Sequence, residues 1–153
     1  MQKTHLQCRE CKKEYDPTFK YICDECFGPL DVHYNFPSLT KNTFVNREQT
    51  YWRYFELLPI TDKSNIVSIN AGMTPLVKAE KLGKEIGLNN LYIKNDSVNP
   101  TFSFKDRPAG VAVSKAKEFG LGSVGCASTG NLAAATAAHA AKAGLPCYIF
   151  APS

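Results

Sequence analysis

Four of the six cysteines stand in two C-x-x-C pairs, Cys8 with Cys11 and Cys23 with Cys26. No other feature limits the fold as much. Each pair puts two thiolates on one tight turn, and two such hooks close a tetrahedral four-sulfur shell around an ion such as Zn2+. Eleven residues separate Cys11 from Cys23. That is short of the common spacing in such sites, yet long enough for a hairpin between the hooks. Arg9, Lys12 and Lys13 are placed to offset the charge of four thiolates. The opening MQKTHLQCRE lacks the apolar stretch of a secretory signal. A cytoplasmic setting is therefore expected, and a disulfide framework is not. The alternative left open is a reduced remnant in which the hooks persist without metal. Cys126 and Cys147 stand alone in apolar segments and read as buried, inert thiols.

Residues 1–36 thus read as a zinc-ribbon-like module, with short strands near Leu6–Cys8, Tyr21–Cys23 and Leu30–Tyr34. Its apolar content is too small for folding without an ion. Residues 37–72 read as a connector. Within it Asn46 and Gln49 have capping-box spacing. An aromatic helix is expected from Arg47 to Leu58, with Trp52, Phe55 and Leu58 on one face and Pro59 as its stop.

From residue 73 onward short apolar runs alternate with helical stretches. Helices are expected over Ala79–Ile86, Pro108–Phe119 and Asn131–Ala143, closed by Gly87, Gly120 and Gly144. Pro108, Val111, Ala112, Ala116 and Phe119 would share a face. Strands are expected over Leu91–Lys94, Ser123–Ala127 and Cys147–Ala151. The β-α-β-α-β order implies parallel strands with right-handed crossovers, so residues 73–153 read as part of an α/β domain. Gly120-Leu-Gly122-Ser-Val-Gly125 matches a dinucleotide fingerprint in letters only. Its glycines leave a helix and enter a strand, the reverse of what that site needs.

The balance of 18 basic and 14 acidic residues, net +4 over 153 residues, has no long basic block. It argues against a dedicated nucleic-acid binder. No apolar run approaches the roughly 20 residues of a membrane span.

Two loops follow strands, at the sheet edge where open parallel sheets place ligands. The first is Asn99-Pro-Thr-Phe-Ser-Phe-Lys105-Asp-Arg-Pro108. Lys105 stands at a helix start, beside Arg107 and between Phe102 and Phe104. Positive and apolar surroundings both lower an amine's pKa, and such an amine can form a Schiff base. Taken alone, it reads rather as a solvated surface charge. The second loop, Ser128-Thr-Gly-Asn131, offers hydroxyls, an amide and backbone N–H groups to an anion at a helix N-terminus. Taken alone, it reads rather as a plain helix cap.

Together these segments, with Gly72-Met-Thr-Pro-Leu76 and the cysteine hooks, resemble the threonine synthase family. Its members are pyridoxal-phosphate (PLP) enzymes of the tryptophan-synthase-β fold type, and some carry a zinc-ribbon extension. The resemblance covers nearly the whole chain. It implies an N-terminal portion of such an enzyme: a zinc-ribbon-like module followed by part of a three-layer parallel α/β domain of fold-type II. Lys105 would hold the cofactor aldehyde as a Schiff base. Asn131 would hydrogen-bond the cofactor's phenolic oxygen, and Ser128 and Thr129 would hold the substrate's anionic end. Cys8, Cys11, Cys23 and Cys26 would hold structural Zn2+.

The substrate implied is O-phospho-L-homoserine, converted with water to L-threonine and phosphate. A homodimer is compatible with the full-length enzyme. Phe102, where many relatives have glycine, and Pro108-Ala109 depart from the family pattern and put the local backbone in question. The family's cofactor-phosphate loop and its partner for the pyridine nitrogen lie further along, so the piece alone is expected to be inactive. Two rival readings stay open. One is a sibling lyase, a serine/threonine dehydratase or a cysteate-synthase-like enzyme. The other is a zinc-ribbon binding module that uses Lys12, Lys13 and Lys20 with Tyr15, Phe19 and Tyr21.

Overall fold

The computed structural model describes residues 3–152. The N-terminal ribbon is a three-stranded antiparallel sheet in the order β2-β1-β3. Its strands are β1 (Lys3–Cys8), β2 (Glu14–Tyr15) and β3 (Leu30–Asn35). Leu6 faces Tyr15 on one side and Val32 on the other. The strand expected at Tyr21–Cys23 does not form. That segment makes only an isolated bridge between Ile22 and Pro29. Its backbone instead shapes the second cysteine turn, where Cys23 N–H donates to Gly28 O at 2.9 Å.

The connector is helical over Tyr51–Leu57, but as a 3-10 segment broken at Tyr54 (φ −97, ψ 31), and its N-cap is Thr50 rather than Asn46. The physical reason lies in Arg47, which is not helical. Its guanidinium reaches forward to Arg53 O at 2.7 Å and forks onto Glu56 at 2.6 and 2.8 Å. Leu58 is extended (φ −114, ψ 150), as a residue before proline must be. The apolar stripe itself forms as expected. Tyr51, Trp52, Ile60 and Ala71 build a buried cluster against which Phe55, Leu58, Ile66 and Val111 pack.

The remaining elements are β4 (Leu76–Lys78), α1 (Glu80–Glu85), β5 (Tyr92–Lys94), α2 (Asp106–Glu118), β6 (Val124–Ala127), α3 (Asn131–Ala143) and β7 (Cys147–Phe150). The parallel order holds for β6 and β7, in the register Val124↔Cys147 to Ala127↔Phe150. It fails for β5, which pairs antiparallel with β4. Helix α1 spans only six residues, too short to carry the chain through a full crossover, so β5 returns along β4 in the opposite sense.

Helices α2 and α3 pack through small residues: Ala109, Gly110, Val113 and Ala116 on one, Ala135, Thr136 and Ala140 on the other. The buried face of α2 is therefore rotated from the expected stripe, with Pro108 and Ala112 left exposed. The connector is laced to α2 by polar contacts. Val67 N–H donates to Ser114 Oγ at 2.8 Å, and Thr61 donates to the Glu118 carboxylate. Gly120 stands at φ +68 directly after α2 and leads into β6, so the glycine run is a helix stop and a turn. Cys126 and Cys147 are half-buried rather than buried, because Tyr148 and Phe150 beside them stay exposed.

Candidate active site and cysteine cluster

Lys105 is half-buried at the N-cap of α2, with helical backbone (φ −62, ψ −18). Asp106, Arg107 and Pro108 form the first turn. There a missing proline N–H costs nothing and a carboxylate suits the positive end of the helix dipole. Asp106 is 0% exposed. Its two oxygens accept from Thr101 N–H and Thr101 Oγ, both at 2.8 Å. This closes the loop that carries Lys105. Lys105 Nζ lies 4.6 Å from the centre of the Phe104 ring. Phe102 supplies no second wall, because it is 80% exposed. It stands at φ +59, in the left-handed region that favours glycine.

Arg107 does not add charge beside Lys105 either, since its guanidinium is committed to Asp96 at 2.7 Å. The same guanidinium donates to Gly72 O at 3.0 Å, and Thr74 Oγ donates to Asp96 at 2.7 Å. Asn99, 2% exposed, accepts from Gly72 N–H at 3.0 Å. The Gly72–Leu76 segment is thereby fastened to the lysine loop. Sequence reading singled out Asn99 and Arg107 within their motif but missed Asp96 and Thr74. Only Thr74's place in Gly-Met-Thr-Pro hinted at a role.

Ser128, Thr129 and Asn131 share the turn from β6 into α3. Ser128 is half-buried, and Thr129 and Asn131 are exposed. The plain-cap reading does not hold, because no side chain caps α3 and Gly130 takes the N-cap position. Ser128 Oγ accepts instead from Gly130 N–H at 3.3 Å. The first N–H groups of a thirteen-residue helix thus have no side-chain partner, which is the chemistry an anion requires. No hydrogen bond joins Lys105 to this turn among the described residues.

The four paired cysteines converge. Their sulfurs lie within 4.8 Å of one another, with Cys8 to Cys26 at 3.4 Å and Cys11 to Cys23 at 3.5 Å. A tetrahedral shell with bonds of about 2.3 Å needs separations of this order. The two hooks are alike in backbone. Lys12 N–H donates to Cys8 O and Phe27 N–H to Cys23 O, each at 3.1 Å. Lys12 and Phe27 both take positive φ, 63 and 59. Tyr15 Oη lies 3.0 Å from Cys23 Sγ, and this hydrogen bond pulls the Cys23 thiol down to about 6. Two of the three expected cations are taken by carboxylates, Arg9 by Asp31 and Lys13 by Glu25, while Lys12 donates to Arg9 O and keeps its charge. Lys20 likewise pairs with Asp24 while stacking on Tyr15. The basic aromatic face is therefore largely neutralised within the ribbon.

Lys105 at the N-cap of α2 and the turn from β6 into the uncapped start of α3 both lie in the α/β portion of the chain. The family model "Pyridoxal-phosphate dependent enzyme" matches residues 67–153, and the chain belongs to that family. It is 43% identical over 151 residues to threonine synthase of Methanocaldococcus jannaschii, a match covering 95% of this chain and 37% of the relative. It is 42% identical over 152 residues to threonine synthase of Methanosarcina acetivorans, covering 97% and 37%. With threonine synthase of Halalkalibacterium halodurans it shares 48% identity over 99 residues, covering 65% and 28%. The chain thus spans 37% of the length of the first two relatives. Among the described residues no helix is long and apolar enough to cross a membrane.

Proposed function

We propose that this chain is the N-terminal portion of a threonine synthase, which converts O-phospho-L-homoserine and water to L-threonine and phosphate. The observation that carries the reading is Lys105, half-buried at the N-cap of α2, in a chain 43% identical over 151 residues to a threonine synthase. The residues present suit PLP. An amine stands on a loop pinned by a buried carboxylate, and a helix start without a side-chain cap stands ready for an anionic group. When bound, the cofactor supplies an electron sink for charge developing on the substrate. Lys105 would hold its aldehyde carbon and would move protons at the substrate's Cα and Cβ as base and acid. Asn131 would donate to the cofactor's phenolic oxygen. Ser128, Thr129 and the first N–H groups of α3 orient the substrate's anionic end.

In the same reading Cys8, Cys11, Cys23 and Cys26 hold a structural Zn2+ that folds the ribbon, supported by their mutual 4.8 Å limit. The test is phosphate release and threonine formation by the full-length protein. Lys105→Ala should abolish both. Ammonia release from serine or threonine without phosphate release from O-phosphohomoserine would favour a sibling lyase instead.

A further inference from the structure

Asn99 and Arg107 stand at the two ends of the loop that carries Lys105, and both hold the same residue of the connector. Gly72 N–H donates to Asn99 Oδ1 at 3.0 Å, and Gly72 O accepts from Arg107 Nη2 at 3.0 Å. Gly72 is buried. One end of the loop takes its donor and the other end takes its acceptor. Both gripping side chains are steadied by Asp96. Its backbone O accepts from Asn99 Nδ2 at 3.1 Å, and its carboxylate takes the Arg107 fork at 2.7 Å. Asn99 is 2% exposed, so water does not replace its acceptor if the side chain is changed.

The grip requires glycine at position 72. The backbone there has φ +104, which side chains disfavour. A Cβ would stand 2.6 Å from Tyr51 Cβ and 3.1 Å from Arg107 Nη1. It would collide with the aromatic connector and crowd the guanidinium. The preceding residue, Ala71, accepts from Tyr51 N–H at 3.2 Å, which ties the gripped residue to the connector's 3-10 segment. The loop is also closed from within, by Asp106 on Thr101 and by Phe102 N–H on Asn99 O at 2.8 Å. Lys105 Nζ meets only the Phe104 ring among the described residues, at 4.6 Å. The place of the amine is therefore set by its backbone.

We propose that Gly72, Asn99 and Arg107 form a clasp that positions Lys105. The two ends of the lysine loop keep a fixed separation because they hold opposite sides of one residue. Opening either grip frees both ends. The clasp rests on the reading of Lys105 as the cofactor-bearing amine. Asn99 and Arg107 are positioning residues, since they act through the loop.

The experiment uses the full-length protein. Asn99→Leu removes the acceptor for Gly72 N–H. Arg107→Lys keeps a cation beside Asp96 but cannot fork to Asp96 and Gly72 O together. The first readout is hydrogen exchange at the Gly72 amide without cofactor, by mass spectrometry at single-residue resolution. Arg107→Lys should speed it about tenfold, although Arg107 does not touch that N–H. The second readout is imine formation between Lys105 and saturating PLP, followed by absorbance. Its rate constant should fall about tenfold in the same variant, whereas a partly unfolded population would lower the amplitude instead. The double variant should be about as slow as either single one, because a clasp opened on one side is already lost. If Asn99→Leu does not fold, Arg107→Lys decides the matter alone. Unchanged Gly72 exchange in Arg107→Lys overturns the clasp. Faster exchange with an unchanged imine rate constant overturns its positioning role. Losses that multiply in the double variant overturn the shared unit. Borohydride labelling of a lysine other than Lys105 in the unaltered protein would instead sink the reading of Lys105, and the exchange rates would still report on the clasp.

Discussion

Arg107 grips Asp96 with both arms of its fork, Nε on Oδ2 and Nη2 on Oδ1, each at 2.7 Å. The pair links the residue two places after Lys105 to the turn that follows β5, and through Gly72 O and Thr74 to the connector. The guanidinium holds the Asp96 carboxyl at about 2, against an ordinary 3.8. A carboxyl depressed on folding contributes stability above its ordinary value and loses it as pH falls through the folded one. Thermal melts between about pH 5 and pH 2 should therefore show a loss of about 2 kcal/mol that Asp96→Asn does not show. Equal pH slopes for the two proteins would refute this account of the pair.

The cysteine cluster should bind about one zinc per chain through four sulfurs at roughly 2.3 Å. X-ray absorption and metal analysis read this directly. Cys8→Ser or Cys23→Ser, each removing a fully buried thiol, should release the metal and unfold the ribbon. A native ribbon spectrum in metal-free protein with four free thiols would contradict the prediction.

Borohydride treatment of the full-length protein with PLP should leave the cofactor's mass on the peptide that contains Lys105. Asn131→Ala should keep that label but weaken cofactor retention by about 1–3 kcal/mol, if its buried partner is left unsatisfied. Peptide mapping that places the label elsewhere would remove Lys105 from its role.

Phe102 holds a left-handed backbone with its ring 80% exposed. Strain outweighs packing at such a position. Phe102→Gly should raise the midpoint of denaturant unfolding by the equivalent of about 1 kcal/mol. A drop would mean that the ring makes contacts in the longer protein that outweigh the strain.

What could be read from sequence follows the range of the forces involved. The bounds of α3 are local: an alanine run between Ser-Thr-Gly and Gly144 leaves one solution, and Asn131–Ala143 is what forms. The cysteine cluster is also local, because C-x-x-C spacing sets each hook by itself. The connector misled because Arg47 and Glu56 decide its course, and their pairing outweighs the helical spacing of Trp52, Phe55 and Leu58. The antiparallel turn of β5 depends on how little chain α1 consumes, which propensity does not report. Lys105 and Ser128–Asn131 were recognised by resemblance. Asp96 and Thr74 were not, since their tie to Arg107 is a long-range event that no local spacing reports.

Helix α2 has Lys105 at one end and Phe119 at the other. Phe119 meets Phe19 of the ribbon edge-on, ring centres 5.8 Å apart. Thirteen residues of helix make a rod about 20 Å long. On such a rod a tilt of about three degrees displaces the far end by about an ångström, the scale of misplacement that costs enzymes roughly a hundredfold in rate. The ribbon therefore bears on the amine as a lever bears on its load. Damage to the sulfur cage would register as a mis-aimed nitrogen at the opposite end of the rod.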